Sequence, residues 1–484
     1  MKVVVIGAGM VGARFADDLA RLDPEAEIDV LGNEDYEPYN RILLTELLAG
    51  RVNLAGLALP KAHDRVGLWV DRPALSIDRE ARVVHTFDGA LPYDHLVLAT
   101  GARARVISVP GLRDGLPRGV HVLRTLNDAR EISAATLNAS HAVVVGGGAL
   151  GIEAACGLRH RGVSVTLLVN AGLLSRDLDD VPGEMLVDAA RDLGIDVVSE
   201  SPLASISVSD GHTAGVQLAD GTAIEAALVV LAVGAEPDVA LAAEAGLHTN
   251  RGIVVDAELR TNDPHISAIG DCAETPGGVS GLLAPGWSQA RALAQSLVSH
   301  QPVVLDPIDG AAMRLKAVGL SVTSMGRRAS TAVAGERVVS MQDPSVRRFV
   351  EVVVRGDTMV GMTCVGDAGL SAQLSVQFDR PGILPRDPLH LLMGAAGPAP
   401  AESASPTAMP GATTVCRCNG VTKKDLVHAW DKGCTSVEEL AAMTLATTGC
   451  GGCKTLVCGI VDWLRDSDSS QSTSVDRESI VTTG

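Results

Sequence analysis

The stretch that decides the fold is V-V-V-I-G-A-G-M-V-G, residues 3–12. Its β-branched run predicts a buried strand, and the G-x-G-x-x-G that follows leads into a helical pattern and a second strand, residues 28–31. In such a turn Gly7 makes the tight bend, Gly9 lets the backbone approach a pyrophosphate, and Gly12 lets the helix pack on the strand. The stretch therefore predicts a βαβ unit that binds a dinucleotide.

The same pattern returns in A-V-V-V-G-G-G-A-L-G, residues 142–151. A strand again runs into a glycine turn and a helix, and the glycines at the fingerprint positions are Gly146, Gly148 and Gly151. Because one such unit cradles one pyrophosphate, the chain is predicted to hold two nucleotides.

The two units differ at the end of their second strand. Glu34 stands there in the first unit, where a carboxylate can accept ribose hydroxyls, whereas the second unit reads L-V-N over residues 168–170. The second unit therefore has no carboxylate at this place, and the nearest arginine that could hold the 2′-phosphate of NADPH is Arg176. Because neither feature decides between the two nucleotides, the choice between NADH and NADPH stays open. Glu153, early in the second helix, either faces the nicotinamide or is a carboxylate favoured by the helix dipole.

Strands followed by glycine turns recur between and after the two units. Residues 93–101 and 228–237 both read as a strand followed by a glycine turn, which indicates a domain-sized internal repeat. Residues 265–269 are predicted to form a further strand that ends at Gly270 and Asp271. Apolar residues make up 46% of the chain but aromatic residues only 2%, so the apolar mass is aliphatic, as in helices packed on buried parallel strands. We therefore expect an α/β protein with two Rossmann-like nucleotide-binding domains.

Four cysteines near the C-terminal end carry a second chemical signal. They form a C-x-C pair and a C-x-x-C pair among small residues, and they are Cys416, Cys418, Cys450 and Cys453. Four thiolates so arranged can converge on one iron-sulfur cluster, which indicates one-electron chemistry, with structural zinc as the alternative. The other cysteines lack a partner at ligand spacing and are interpreted as small core residues: Cys156, Cys272, Cys364, Cys434 and Cys458.

Charge and hydropathy limit the partners. With 58 acidic against 40 basic residues the formal charge is −18, which argues against nucleic acid and against an anionic membrane surface. The charge either serves solubility or forms an acidic face for a basic redox partner. No apolar run reaches the length of a membrane span, and the N-terminus leads straight into a strand, so we expect a cytoplasmic protein with no membrane partner.

The pattern changes after the second unit. Residues 313–365 alternate in the manner of hairpin strands, and residues 394–414 are rich in Pro, Ala and Ser, which predicts a flexible linker. A compact unit with helix signals follows, and the Ser-, Asp- and Thr-rich residues 466–484 are predicted to be disordered.

Several motifs together resemble the FAD-dependent pyridine nucleotide-disulfide oxidoreductase superfamily over residues 1 to about 390. In particular they resemble the flavoprotein part of assimilatory nitrite reductase large subunits and of assimilatory nitrate reductase electron-transfer subunits. Besides the two fingerprints, the motifs are Tyr39-Asn40-Arg41, Ala99-Thr100-Gly101, Arg124-Thr125-Leu126, Thr261 and Ile269-Gly270-Asp271. The four cysteines, with N-G-V-T after the first pair, resemble the bacterioferritin-associated ferredoxin type of 2Fe-2S domain.

The resemblance implies three cofactors and the residues that hold them. The implied FAD contacts are Gly7, Gly9, Gly12, Glu34, Arg41, Thr100, Gly101 and Asp271, the last at the ribitol or pyrophosphate. The implied contacts of NADH or NADPH are Gly146, Gly148, Gly151 and Glu153. The implied ligands of the 2Fe-2S cluster are Cys416, Cys418, Cys450 and Cys453.

The resemblance and the composition together divide the chain. The predicted segments are a FAD-binding domain in two parts (1–112 and 239–305), an NAD(P)H-binding domain (113–238), a small α+β C-terminal reductase or dimerisation-like domain (306–393), a flexible linker (394–414), a small helical 2Fe-2S-binding domain (415–465) and a disordered tail (466–484).

Two departures from the superfamily shape the functional hypothesis. The disulfide reductases carry a redox C-x-x-x-x-C pair where this chain reads N-R-I-L-L-T, residues 40–45, so no thiol relay is expected there. The sirohaem and 4Fe-4S half of nitrite reductase would need further cysteine clusters after Cys453, where only Cys458 follows. We therefore expect that this chain does not reduce nitrite by itself.

We expect an oxidoreductase that passes electrons from NADH or NADPH, through FAD and the cluster, to a separate terminal reductase. Nitrate reductase is the first candidate partner and nitrite reductase the second. A nicotinamide releases two electrons, a 2Fe-2S cluster accepts one, and a flavin exchanges both, so no side chain is expected to act as a catalytic acid, base or nucleophile. A flavin-containing amino-acid or opine oxidase subunit and a non-catalytic redox or iron-delivery partner stay open as alternatives, as does a homodimer.

Overall fold

The computed structural model of the chain divides into two compact units, residues 1–58 with 63–392 and residues 59–62 with 393–484. The residues it describes are 1–299, 301, 312–379, 384–393, 406, 409–416, 419–449 and 452–478. Most of the predicted linker, residues 394–414, therefore lies outside the described residues, as do Cys418 and Cys450.

The first sheet of the larger unit is built on the opening strand of the chain. Its five parallel strands are, in spatial order, Ile266–Ala268, His95–Leu98, Lys2–Ile6, Glu27–Leu31 and Val66–Trp69. The helices Met10–Leu22 and Leu283–Ser299 pack against each other beside this sheet. Because this part of the sheet is covered, the opening strand is an apolar run in which Val3, Val4 and Val5 are fully buried.

Smaller elements surround the first sheet. An antiparallel sheet contains Ser76–Asp78, Val83–Thr86 and Gly89–Pro92, and two-stranded pairs join Ala102–Ala104 to Ala235–Pro237 and Ile253–Val254 to Ala273–Glu274. The short helices are Leu44–Leu48 and Ala240–Glu244, and the 3-10 turns are Arg41–Leu43, Leu54–Leu57 and Gly270–Cys272.

The second sheet repeats the design of the first. Its five parallel strands are, in spatial order, Ile195–Ser199, Ser164–Val169, His141–Val145, Leu228–Leu231 and Val120–Val122. The accompanying helices are Leu126–Ala135, Ala149–His160 and Asp180–Asp192, and an antiparallel sheet contains Leu203–Ser209, His212–Leu218 and Ala223–Glu225. The prediction of two Rossmann-like units is confirmed.

The third sheet of the larger unit is antiparallel. In spatial order its strands are Met313–Ala317, Leu320–Gly326, Thr358–Val365, Arg348–Arg355 and Glu336–Asp343. The helices Ala368–Asp379 and Leu389–Leu392 and the 3-10 turns Ala329–Thr331 and Pro344–Val346 complete it. This is the small α+β part that the alternating sequence pattern predicts.

The smaller unit is mainly helical. Two short strands, Thr414–Cys416 and Val421–Thr422, pair with each other, and the helices are Lys423–Asp431, Val437–Thr444 and Lys454–Glu478. Its core includes the fully buried side chains of Leu426, Leu440, Val457 and Ile460. The last helix continues through residues 466–478, where the sequence predicts disorder; this stretch contains neither glycine nor proline, so nothing in its backbone chemistry ends the helix.

No helix within the described parts of the chain combines the length and apolar character needed to cross a bilayer.

The buried side chain of His95 makes the stability of the first sheet depend on pH. Its ring Nε2 lies 3.0 Å from the Ser267 hydroxyl, and burial lowers the pKa of His95 from 6.5 to about 4, with a smaller contribution from His265. The unfolded chain therefore binds a proton at a higher pH than the native chain does. The contribution of His95 to stability is present above pH 6.5 and is lost as the pH falls toward 4.

We expect the free energy of unfolding to fall by about 3 kcal/mol between pH 7 and pH 4 through this one group. Urea denaturation at several pH values measures the slope, and His95→Gln, which keeps a polar side chain but cannot titrate, should flatten it. An unchanged slope in the variant would contradict the assignment.

Candidate nucleotide and cluster sites

A cavity of about 490 Å³ opens at the carboxyl ends of the first sheet's strands. Ligand sites of doubly wound folds lie at this edge because the loops that follow the strands converge there. The predicted site residues that line the cavity are Gly7, Gly9, Glu34, Arg41, Thr100 and Gly101. The structure thus gathers these six residues around one space of a size suited to a small-molecule cofactor.

The three glycines of the first turn have different surroundings. Gly7 has φ +118°, and a Cβ on it would lie 2.1 Å from the Ala99 carbonyl oxygen. A Cβ on Gly12 would lie 2.0 Å from the Gly7 carbonyl oxygen, so this glycine allows the helix to pack against the turn. At Gly9 a Cβ would meet nothing within 4 Å, which leaves the backbone open to a ligand. These are the features that a pyrophosphate cradle requires.

The carboxylate of Glu34 is held in place by its neighbours. It accepts a 2.8 Å hydrogen bond from the Tyr39 hydroxyl and a second bond from the Arg41 guanidinium, which also lies over the Tyr39 ring. The Tyr39 hydroxyl in turn accepts the Leu126 backbone N–H at 2.9 Å, and burial raises the pKa of Tyr39. Each carboxylate oxygen has two lone pairs, so Glu34 keeps acceptor capacity toward the cavity. The arrangement fits a ribose, while Arg41 acts here as a partner of Glu34.

Asp271 forms an ion pair with Arg124, a residue that lines the cavity. The Arg124 guanidinium lies 2.5 Å from the Asp271 carboxylate and donates to the Ala102 carbonyl at 3.1 Å. Arg124 lines the cavity, although the sequence singles it out only as part of a motif. The neighbouring Thr125 and Asp128 form a capping box that starts the helix Leu126–Ala135. Asp271 is therefore more than a turn residue, and its contact with FAD stays a prediction.

The second glycine turn reproduces the first. Gly146 has φ +129°, and a Cβ there would lie 2.2 Å from the Ala232 carbonyl oxygen. A Cβ on Gly151 would lie 2.0 Å from the Gly146 oxygen, whereas one on Gly148 would meet nothing within 4 Å. The same division into two packing glycines and one open glycine fits a second pyrophosphate.

Glu153 joins the two nucleotide-binding parts. Its carboxylate accepts a 2.8 Å hydrogen bond from the Thr45 hydroxyl, which lies on the helix Leu44–Leu48 after the 3-10 turn Arg41–Leu43. Further along the same pair of helices, the Arg161 guanidinium donates to the carbonyl oxygens of Leu48 and Leu47. The contact that the structure shows for Glu153 is thus between the two parts, and its role toward the nicotinamide stays a prediction.

In the smaller unit, one cysteine of the C-x-C pair contacts one cysteine of the C-x-x-C pair. Cys416 and Cys453 are both buried, and the hydrogen bond from Cys453, together with backbone N–H groups of Asn419 and Thr447, lowers the pKa of Cys416 to about 6. Cys418 and Cys450 lie outside the described residues, and within the described part no group of three His, Cys, Asp or Glu side chains could hold a metal. Two neighbouring cysteines drawn from both pairs, one of them with a lowered thiol pKa, fit an iron-sulfur cluster better than a plain core would.

The remaining cysteines have no predicted ligand role. Cys156, Cys272, Cys364 and Cys434 are buried, and Cys458 is half-buried. Burial raises the pKa of Cys156 and of Cys364 to about 12 and also raises that of Cys272. Such thiols are inert, in line with their interpretation as small core residues.

Comparisons with known proteins follow the same division of the chain. Residues 1–294 match the family described as pyridine nucleotide-disulphide oxidoreductase, and residues 414–463 match the BFD-like 2Fe-2S binding domain. The chain is 32% identical over 482 residues to an NAD(P)H nitrite reductase of Bacillus subtilis strain 168, and 31% identical over 499 residues to an assimilatory nitrate reductase electron transfer subunit of that strain. These alignments cover 97% and 98% of this chain but 58% and 61% of the relatives, so the chain spans about three fifths of their length.

Among solved structures, a ferredoxin reductase of Rhodopseudomonas palustris is similar, with a TM-score of 0.69 and 28% identity. The match covers 78% of this chain and 93% of that one.

Proposed function

Because the chain belongs to the pyridine nucleotide-disulphide oxidoreductase family and carries a BFD-like 2Fe-2S binding domain, we propose that it is an electron-transfer flavoprotein for a separate terminal reductase. It takes electrons in pairs from NADH or NADPH and delivers them one at a time. Assimilatory nitrate reductase is the first candidate acceptor and nitrite reductase the second.

The observation that carries the proposal is the coexistence of two open glycine turns and one convergent pair of cysteines. Gly9 and Gly148 each expose backbone to a pyrophosphate, and Cys416 contacts Cys453 in a unit with its own core. When bound, a flavin supplies the exchange between two-electron and one-electron transfer. The protein's own residues bind and orient: Glu34 toward a ribose, the Arg124–Asp271 pair at the cavity wall, and the cysteines around iron.

The choice of terminal enzyme rests on the relatives. One is named as a nitrite reductase and the other as the electron transfer subunit of an assimilatory nitrate reductase, and this chain aligns with about three fifths of each. A separate partner agrees with the second name, because a subunit that transfers electrons needs an acceptor outside itself.

An anaerobic titration of the purified chain with NADH and then NADPH tests the proposal. Visible spectra should show the flavin bleach, and electron spin resonance should show a reduced 2Fe-2S signal. Nitrate should be consumed only after a purified nitrate reductase is added. Nitrate reduction by the chain alone, or flavin bleached by an amino acid but by neither nucleotide, would refute the proposal, and the second result would favour the oxidase alternative.

A further inference from the structure

The side chain of Asn419 contacts Cys416 and is not one of the four predicted ligands. We propose that Asn419 is a positioning residue for the cluster, because its amide connects Cys416, from the first cysteine pair, to the loop that precedes the second pair. This inference rests on the proposed function only in taking the cysteines to hold a 2Fe-2S cluster.

Asn419 is buried, with 6% of its surface exposed, and its amide nitrogen reaches three acceptors. It lies 3.6 Å from the Cys416 sulfur and 3.3 Å from the Thr448 hydroxyl, and it donates to the Leu445 carbonyl oxygen. Cys416 ends the strand Thr414–Cys416, whereas Leu445 and Thr448 lie in the loop that follows the helix Val437–Thr444. One side chain therefore connects this loop to a predicted ligand sulfur.

The loop that contains Leu445 and Thr448, the two contacts of Asn419, has a strained backbone. Leu445 has φ +62° and Thr447 has φ +70°, and a β-branched residue is rarely found in that left-handed region. Strain of this kind persists only where the surroundings hold it in place, and it concentrates at functional sites. The two residues that Asn419 contacts, Leu445 and Thr448, flank Thr447 on either side.

The Asn419 amide donates to the Cys416 sulfur at 3.6 Å, and the same nitrogen donates to the Leu445 carbonyl oxygen of the strained loop. One side chain thus supplies a donor to a predicted ligand sulfur and also holds the loop that precedes the second cysteine pair. Donors to a ligand sulfur withdraw electron density from an iron-sulfur cluster, which stabilises the reduced form and raises its reduction potential.

The test uses the full-length holoprotein and the variant Asn419→Leu, which has a similar size but no donor. A redox titration followed by spin resonance should place its midpoint potential below that of the unchanged chain. Iron should be lost to a chelator about 10- to 100-fold faster, the usual cost of removing an outer partner of a metal ligand. The exposed Glu438, on the neighbouring helix of the same unit, provides a control as Glu438→Gln, which should alter neither quantity.

A second variant keeps the test decisive if Asn419→Leu loses its cluster during preparation. Asn419→Ser retains a hydroxyl donor and should hold the cluster with an intermediate potential. If Asn419→Leu matches the unchanged chain in both potential and iron release, the inference is wrong while the proposed function stands. If the unchanged chain itself carries no iron, the proposed function fails and takes this inference with it.

Discussion

A chain in which Cys416 is replaced by alanine is expected to accept electrons from NADH but to deliver almost none to a one-electron partner. Cys416 is buried beside Cys453, and the two represent the two cysteine pairs of the BFD-like domain. Alanine offers no thiolate, and a four-cysteine cluster does not survive the loss of a ligand without rearrangement. The glycine turns of the predicted nucleotide sites belong to the larger unit, so we expect nucleotide binding to be retained.

We expect cluster-dependent reduction of the terminal enzyme to fall at least ~100-fold, in line with the cost of disturbing a metal site. Bleaching of the flavin by NADH should stay within about twofold, since hydride transfer needs only the two nucleotides. Stopped-flow absorbance measures the first step, and nitrate consumption with added nitrate reductase measures the second.

Cys458 supplies the matched control, because it lies in the same unit and has no predicted ligand role. Cys458→Ala should retain iron, spin-resonance signal and electron delivery. If Cys416→Ala keeps full delivery, or if Cys458→Ala loses it, the assignment of the ligands is wrong.

The second large effect is expected at the open glycine of the second turn. Gly148 has φ −79° and ψ 174°, a conformation that alanine adopts freely, and a Cβ there would meet no protein atom within 4 Å. Gly148→Ala should therefore fold normally. Its methyl group would occupy the space through which the backbone approaches a pyrophosphate, so the dissociation constant for NADH should rise at least ~10-fold, a loss of about 1.4 kcal/mol.

The first turn provides the reciprocal variant. Gly9 has φ −76° and ψ 179° and is equally open, so Gly9→Ala should lower flavin content and leave the fold intact. Gly151→Ala should behave differently, because its Cβ would lie 2.0 Å from the Gly146 oxygen. We expect it to destabilise the protein by about 3 kcal/mol or more, as overpacking does.

Flavin absorbance per chain, NADH binding by stopped flow and urea denaturation separate these three outcomes. Loss of flavin in Gly148→Ala with unchanged NADH binding would show that the two turns have been assigned in the wrong order.

Much of the fold could be predicted because its decisive signals are local. A β-branched run, a glycine turn and a helix lie within about one dozen residues of each other, and the tight positions at Gly7 and Gly146 follow from that sequence alone. The strand pattern of residues 313–365 was likewise readable, since alternation reports a sheet with one covered face. The helical state of residues 466–478 could not be read from the sequence, because a polar composition without glycine or proline is compatible with both helix and disorder.

The contacts that complete the sites could not be predicted in the same way. Arg124 and Asp271 are 147 positions apart and meet only because the strand Ile266–Ala268 joins the first sheet. Thr45 and Glu153 are 108 positions apart and meet only because two helices from different nucleotide-binding parts pack together.

The amino-acid sequence by itself determined the two glycine turns and the spacing of the four cysteines, since each depends on neighbours along the chain. Tertiary structure alone decided which side chains contact those elements: Arg41 and Tyr39 at Glu34, Arg124 at Asp271, and Asn419 between Cys416 and the loop at Leu445. The physical reason is that a hydrogen bond is directional and short, so its partner is chosen by where packing delivers each group and not by its distance in sequence.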